Sequence, residues 1–267
     1  MPIQRGDFIL LDYAARVKET GDIFDTTLEE EARKQGLYRS GTLYEPILVV
    51  VGEGWVLKGL DEALVGVEEG KPSSIEVPPE KGLGPRDPAK IKLIPLRKFM
   101  ARDVQPRTGM QVEVDGRTGV VRSVGAGRVQ VDFNPILAGK TIVYEVTVRK
   151  ALKVREERMK ALIHRRIPSV ATEKLTVGMR GGEARITVPE EAFLTDGLQI
   201  IKRGLAVDFE KFFPEVNKTT FIETFTRKVE VKPEPKPEPE PLKAERTEKP
   251  EAEASKPAVV KAKTVAE

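Results

Sequence analysis

The segment Thr141–Val148 (TIVYEVTV) alternates apolar and polar residues strictly, the pattern of a strand with one buried face. Its natural companions lie far upstream, in Asp7–Val17 (DFILLDYAARV) and Pro46–Val51 (PILVVV). A late strand that belongs with an early β unit constrains the fold strongly, because much of the intervening chain must leave that unit and return. Residues 88–135 read as the excursion. Met110–Val114, Thr118–Val124 and Arg128–Val131 are short alternating strands, punctuated by Asp115-Gly116 and Gly125-Ala126-Gly127, which are hairpin signals.

Within residues 1–87 the reading is β-rich. Thr27 is expected to cap a short helix, with Glu30 as its capping-box partner. Gly54–Val65 reads as one amphipathic helix presenting Leu57, Leu60 and Leu64. Ser73–Val77 returns to strand, and residues 78–85 form a Pro/Gly loop. Residues 153–230 follow as an α+β module. It contains a basic helix over Lys153–Arg166, a strand near Glu183–Val188, a helix near Leu198–Phe212 and a strand near Thr219–Val231. From Val231 onward seven of the 20 prolines fall within 37 residues, among Lys and Glu and without aromatics. Such a segment buries too little apolar surface to offset its conformational entropy and is expected to be disordered.

Composition excludes several chemistries. The 267 residues contain no cysteine and one histidine, His164, so a thiolate nucleophile, a disulfide and a Cys- or His-rich metal site are ruled out. A net charge of +3 is small for a general nucleic-acid binder. The longest strongly apolar run, Ile47–Val51, is far shorter than the roughly 20 residues of a spanning helix. A soluble, cytoplasmic protein without membrane contact is expected. No cofactor and no metal is expected.

The first unit carries a string of motifs in fixed order. They are Gly6-Asp7, Asp12-Tyr13, Gly21-Asp22-Ile23-Phe24-Asp25-Thr26, Pro46-Ile47 and the run from Val51 to Leu64 (VGEGWVLKGLDEAL). Gly66, Glu69-Gly70 and Thr141–Val146 complete it. This series resembles the FK506-binding-protein class of peptidyl-prolyl isomerases, over about residues 6–150. The insertion ending in Leu137-Ala138-Gly139-Lys140 is similar to that of the SlyD and long archaeal members. The resemblance implies an α+β fold in which an antiparallel half-barrel sheet wraps a short helix. Its parts would be an isomerase domain (1–87 and 136–152), an inserted β-rich chaperone domain (88–135), the C-terminal module (153–230) and the tail (231–267).

It also implies a proline pocket in which Tyr13 and Asp25 are the catalytic polar groups. Phe24, Ile47, Val56, Leu57, Leu60, Leu83 and Tyr144 would line it, and the Leu57 N–H would hold a substrate carbonyl. Leu60 stands where many members place tryptophan, Leu83 replaces a loop tyrosine, and Ile47 takes a commonly aromatic position. Trp55 is expected beside the pocket entrance. The tail has neither His nor Cys, so the metal-binding tail common in SlyD-type proteins is not carried over. Such a pocket is chemically sufficient. Rotation about X–Pro breaks no bond, and apolar walls with a few fixed dipoles favour the twisted, less conjugated amide.

The implied function is peptidyl-prolyl isomerisation coupled to chaperone capture of unfolded polypeptides with X–Pro bonds. Ile94, Leu96, Phe99, Met100, Met110 and Val112 are the candidate capture residues of the insert. Two alternatives stay open. One is a holdase with a weak or decayed isomerase pocket. The other is a ribosome- or RNA-associated factor using the eight Lys and Arg of residues 149–166. A salt-bridged helix linking two domains is the competing reading of that cluster. The apolar residues Leu152, Met159, Leu162 and Ile163 need a cover, either the C-terminal module or a second copy in a homodimer.

Overall fold

The computed structural model describes residues 2–226, so the expected disorder of 231–267 lies outside the described residues. The elements are β1 (Phe8–Val17), β2 (Ile23–Thr26), α1 (Glu29–Lys34), β3 (Ile47–Val50), α2 (Lys58–Ala63) and β4 (Pro72–Val77). Then come β5 (Ile91–Pro95), α3 (Leu96–Met100), β6 (Gln111–Val114), β7 (Arg117–Gly125) and β8 (Arg128–Asp132). The chain continues through β9 (Ile142–Leu152), α4 (Arg155–Arg166), β10 (Thr176–Arg180), β11 (Glu183–Val188), α5 (Leu198–Phe212) and β12 (Lys218–Glu223). The result is mixed α+β with largely antiparallel sheets and few helices.

The first sheet runs β2-β1-β9-β4, with β3 on the other half of the β1 edge that carries β2. The late strand does return: β9 pairs along the whole of β1, from Phe8↔Leu152 to Val17↔Ile142. Period-2 alternation gives this sheet two apolar faces. Ile9, Leu11 and Ala15 join Val49, Tyr144, Val146, Leu60 of α2 and Leu64 just after it in one cluster. Phe8 and Leu10 point the other way, with Leu48 and Val50, into a second cluster.

A β-bulge fits β9 to both clusters. Val148 opposes Leu11 while Lys150 opposes Leu10, which leaves Arg149 as the extra residue. Val148 therefore stays in the inner cluster, whereas Leu152 emerges opposite Phe8 in the outer one. Arg149 pairs with Asp12, which is buried.

The outer cluster is completed by the C-terminal residues. Met159, Leu162 and Ile163 of α4, Leu205 and Phe209 of α5 and Phe213 just after it bury against Ala184, Ile186 and Val188 of β11. Phe8 packs edge-on against Phe212, centroids 5.3 Å apart. The cover that α4 required is thus within the chain. Strand β10 pairs antiparallel with β11, and β12 runs parallel to β11.

The expected helix over Gly54–Val65 is shortened to Lys58–Ala63. Gly52 and Gly54 have φ of 89° and 68°, and their N–H groups donate to the Asp61 carboxylate, which ties residues 52–57 into a loop. Thr27 is not a helix cap. Leu28 holds that position, and the Thr27 hydroxyl accepts from Tyr13 N at 2.9 Å and donates to Asp12 at 2.9 Å.

The excursion forms its own sheet, β5-β8-β7-β6, around Val121, Val129 and Val131. The sequence reading missed β5 and α3. Both expected hairpins form, with Asp115-Gly116 and Ala126-Gly127 as two-residue turns in which all four φ are positive. Ala126 carries the left-handed cost of a side chain at φ 49°. Ala126→Gly is therefore expected to stabilise this sheet by about 0.5–1 kcal/mol, the backbone entropy of glycine offsetting part of the gain. Hydrogen exchange of the β7–β8 amides should slow severalfold; unchanged or faster exchange contradicts the strain.

Candidate functional site

The site is built on one register row of the first sheet. Asp25 on β2 opposes Ala15 on β1, and Ala15 opposes Tyr144 on β9. The alanine methyl leaves room on that face, and Tyr13, two residues along the same strand, reaches both neighbours. Its hydroxyl donates to Asp25 Oδ2 at 2.7 Å, and its ring meets Tyr144 edge-on with centroids 5.7 Å apart. The Tyr13 backbone is held firmly. Its carbonyl accepts from Thr27 N at 3.0 Å and Thr26 Oγ1 at 2.9 Å, and its N–H donates to Thr27 Oγ1. Thr27 is the residue that sequence reasoning missed, because its Ser/Thr-x-x-Glu spacing fits a cap equally well.

Apolar residues surround these groups. Phe24, Ile47, Val56 and Leu57 are half-buried and pack on the inner cluster that contains Tyr144 and the fully buried Leu60. Asp25 is exposed. Leu57 directly precedes α2, and its carbonyl accepts from Asp61 N at 2.9 Å. Among the described residues no acceptor meets the Leu57 N–H. Leu83 stands on the exposed loop between β4 and β5.

Burial raises the Tyr13 phenol far above its ordinary value, and the hydrogen bond to Asp25 and the charge of Asp25 add to it. Burial, followed by the charge of Asp25, pushes Tyr144 up to about 12. Both phenols are neutral donors at any ordinary pH. Oriented hydroxyl and carboxylate dipoles over an apolar floor can bind and orient a polar, uncharged group without supplying a nucleophile. Among the described residues no cluster of three or more His, Asp or Glu could hold a metal ion.

Trp55 does not pack on the inner cluster, although it lines one cavity with Ile47. Its ring packs edge-on against Phe212 at 5.7 Å in the outer cluster, and Arg165 stacks over it. The reason lies in the loop pinned by Asp61, which turns Trp55 and Val56 to opposite clusters. Of the six capture candidates, Ile94, Phe99 and Val112 are core of the second sheet and Leu96 packs on it. Met100 and Met110 are exposed.

The eight cations of residues 149–166 have partners within the chain. Lys150 pairs with Glu157, Lys153 with Asp7, Arg155 with Glu215, Lys160 with Glu156 and Arg166 with Asp208. Arg149 is held by Asp12, Arg158 donates to the Leu152 carbonyl, and Arg165 lies on Trp55. Among the described residues no helix is long and apolar enough to cross a membrane.

Residues 92–137 match the family described as "FKBP26, IF domain", and residues 155–226 match "FKBP26_C-terminal". The short-type peptidyl-prolyl cis-trans isomerase of Methanocaldococcus jannaschii is 37% identical over 147 residues, 55% of this chain and 92% of that protein. The FKBP-type 16 kDa peptidyl-prolyl cis-trans isomerase of Escherichia coli K12 is 28% identical over 140 residues, 51% of this chain and 88% of that protein. The FKBP-type isomerase SlyD of Treponema pallidum is 28% identical over 169 residues, 62% of this chain and 87% of that protein.

The tyrosine environment predicts a late ionisation. As an acid whose folded pKa is raised, Tyr144 leaves stability intact below pH 10 and lowers it as pH rises from there towards about 12. Phenolate absorbance should show a step near pH 12 that disappears in Tyr144→Phe. Complete titration of all tyrosines near pH 10 contradicts the burial.

Proposed function

The chain belongs to the FKBP-type peptidyl-prolyl cis-trans isomerases, and on that premise we propose that the Tyr13–Asp25–Tyr144 cluster is where it rotates the X–Pro bond. The enzyme reaction itself needs only a barrier of about 18–20 kcal/mol to be lowered, and each 1.4 kcal/mol is about tenfold in rate. Phe24, Ile47, Val56 and Leu57 wall the proline ring, with Leu60 beneath. These surfaces disfavour the charge-separated planar amide relative to the twisted one. The unsatisfied Leu57 N–H takes a flanking carbonyl, which fixes the chain on one side of the rotating bond. Tyr13 holds the Asp25 carboxylate in one orientation, so the dipoles need no reorganisation as the amide twists.

The hydrogen bond from Tyr13 to Asp25, set edge-on to Tyr144 over an apolar floor, carries this reading. A protease-coupled or NMR assay on a short X–Pro peptide tests it. Asp25→Ala and Tyr13→Phe should each lower kcat/KM by about tenfold or more. No catalysis by the wild type would overturn the site.

The chaperone partner is an unfolded or partly folded polypeptide containing X–Pro bonds. The exposed Leu93 on β5, Met100 at the end of α3 and Met110 just before β6 support capture there, as apolar surface outside any core. Capture beside the pocket raises the effective concentration of prolines at it. Deleting residues 88–135 should depress refolding of a proline-limited protein by about tenfold or more while peptide turnover changes much less. Equal losses would refute capture and delivery. The internal pairing of residues 149–166 favours the linking helix over an RNA contact. Burial of Met159, Leu162 and Ile163 removes α4 as the argument for a homodimer.

A further inference from the structure

A cavity of about 640 Å³ lies between the outer face of the first sheet and α4, within the size range of ligand pockets. Leu10, Leu48, Leu152 and Ala161 supply its apolar wall, and Trp55 and Arg165 stand on it together. We propose that this groove is an extended subsite for the client polypeptide: it takes an apolar side chain several residues from the X–Pro bond and an adjacent acidic side chain on Arg165. The inference rests on the isomerase reading of the pocket and adds a sequence preference to it.

Two observations select this occupant. The first is continuity. Ile47 packs on the inner cluster beside Tyr13 and Phe24, and it also lines the groove. Its strand neighbour Leu48 faces the outer side, so a chain leaving the pocket across the start of β3 passes directly into the groove. The second is charge. Lys150 meets Glu157 at 2.7 Å, Lys160 meets Glu156 at 2.9 Å, and His164 meets Glu45 at 2.6 Å. Among the described residues no carboxylate reaches Arg165. Its guanidinium lies 4.0 Å from the Trp55 ring centroid, against apolar surface. Burial and then the neighbouring Arg166 work against its charge, a penalty that a bound carboxylate removes.

The groove is preformed. Both ring nitrogens of His164 meet acceptors, Val170 O at 2.8 Å and the Glu45 carboxylate, so the start of α4's last turn is fastened to the loop preceding β3. Little ordering is left for binding to impose.

Trp55 is the sole tryptophan, so its fluorescence reports on the groove in the full chain. The probe is a proline-free peptide carrying Leu-Asp, which has no X–Pro bond for the pocket. It should perturb Trp55 fluorescence and compete with turnover of a long X–Pro peptide more than with that of a four-residue one. Its binding should weaken at least about tenfold in Arg165→Gln. A Leu-Lys version should lose the same against the wild type, which keeps the test independent of how the variant folds. Equal binding of the two peptides, or no response from Trp55, overturns the proposal. A Trp55 signal that depends on protein concentration without peptide assigns the groove to a second copy and also overturns it. Groove binding without turnover of the four-residue peptide would instead sink the isomerase reading.

Discussion

Strand β1 is buried on both faces, and the rest of the molecule is arranged around that fact. An antiparallel sheet ordinarily keeps one face wet. Here Ile9, Leu11 and Ala15 serve the cluster beneath the candidate site, while Phe8 and Leu10 serve the cluster shared with α4 and α5. A single strand thus holds Tyr13 in register and anchors the C-terminal residues. The bulge at Arg149 is what makes this compatible with an eleven-residue partner strand. Without the extra residue, Leu152 would fall on the inner face and the outer cluster would lose its contribution from β9. Asp12, an outward carboxylate on the same strand, is tolerated in burial because Arg149 and Thr27 meet it.

The second sheet is joined by more than two loose connections. Gly139 N donates to Gly84 O at 2.9 Å, and Asn134 and Asp87 exchange two hydrogen bonds. Above them the buried Asp132 takes Arg86 and Arg122 together with the Asn134 amide. Burial alone would raise its carboxyl, but the bonds from Asn134, Arg122 and Arg86 outweigh burial and hold it well below the ordinary range. Both arginines reach solvent and Asp132 keeps other donors if one is lost, so removing one partner costs less than the roughly 3–5 kcal/mol of a fully buried pair. The junction therefore directs the second sheet, and the loop bearing Leu83 shares that junction through Gly84. If the second sheet captures a chain as proposed, its delivery then depends on geometry as well as on tethering.

Much of this was legible in the sequence, where pattern and local chemistry agree. The alternation of Thr141–Val148, the two positive-φ turns and the helix Leu198–Phe212 all appear at or near their read positions. What failed were features decided by distant contacts. The Thr27 hydroxyl has equal local reason to cap a helix or to clamp a strand, and only the pairing of β1 with β2 decides. Gly54–Val65 has helical periodicity, but Asp61 spends its carboxylate on Gly52 and Gly54 instead of on solvent. Trp55 sits next in sequence to pocket residues and packs on Phe212, some 157 positions away, as ring geometry shows. No local window carries a bulge such as that at Arg149, because it exists only relative to a partner strand.

The basic run of residues 149–166 shows how a charge pattern gains meaning from its surroundings. As sequence it is a cationic stripe with two glutamates, the footprint of a phosphate binder. In the fold its charges meet Asp7, Asp12, Glu157, Asp208 and Glu215, carboxylates from several different segments. Those pairs that are exposed contribute at most about 1 kcal/mol each, and apolar burial of Phe8, Leu162 and Phe213 supplies the attraction. Their effect is to select one orientation of α4 on the sheet, since a rotated or shifted helix would leave several unlike charges unmatched at once. That orientation brings Arg165 over Trp55 and His164 to Glu45. Arg165, which like Arg158 meets no carboxylate among the described residues, therefore stands where apolar wall and open space coincide.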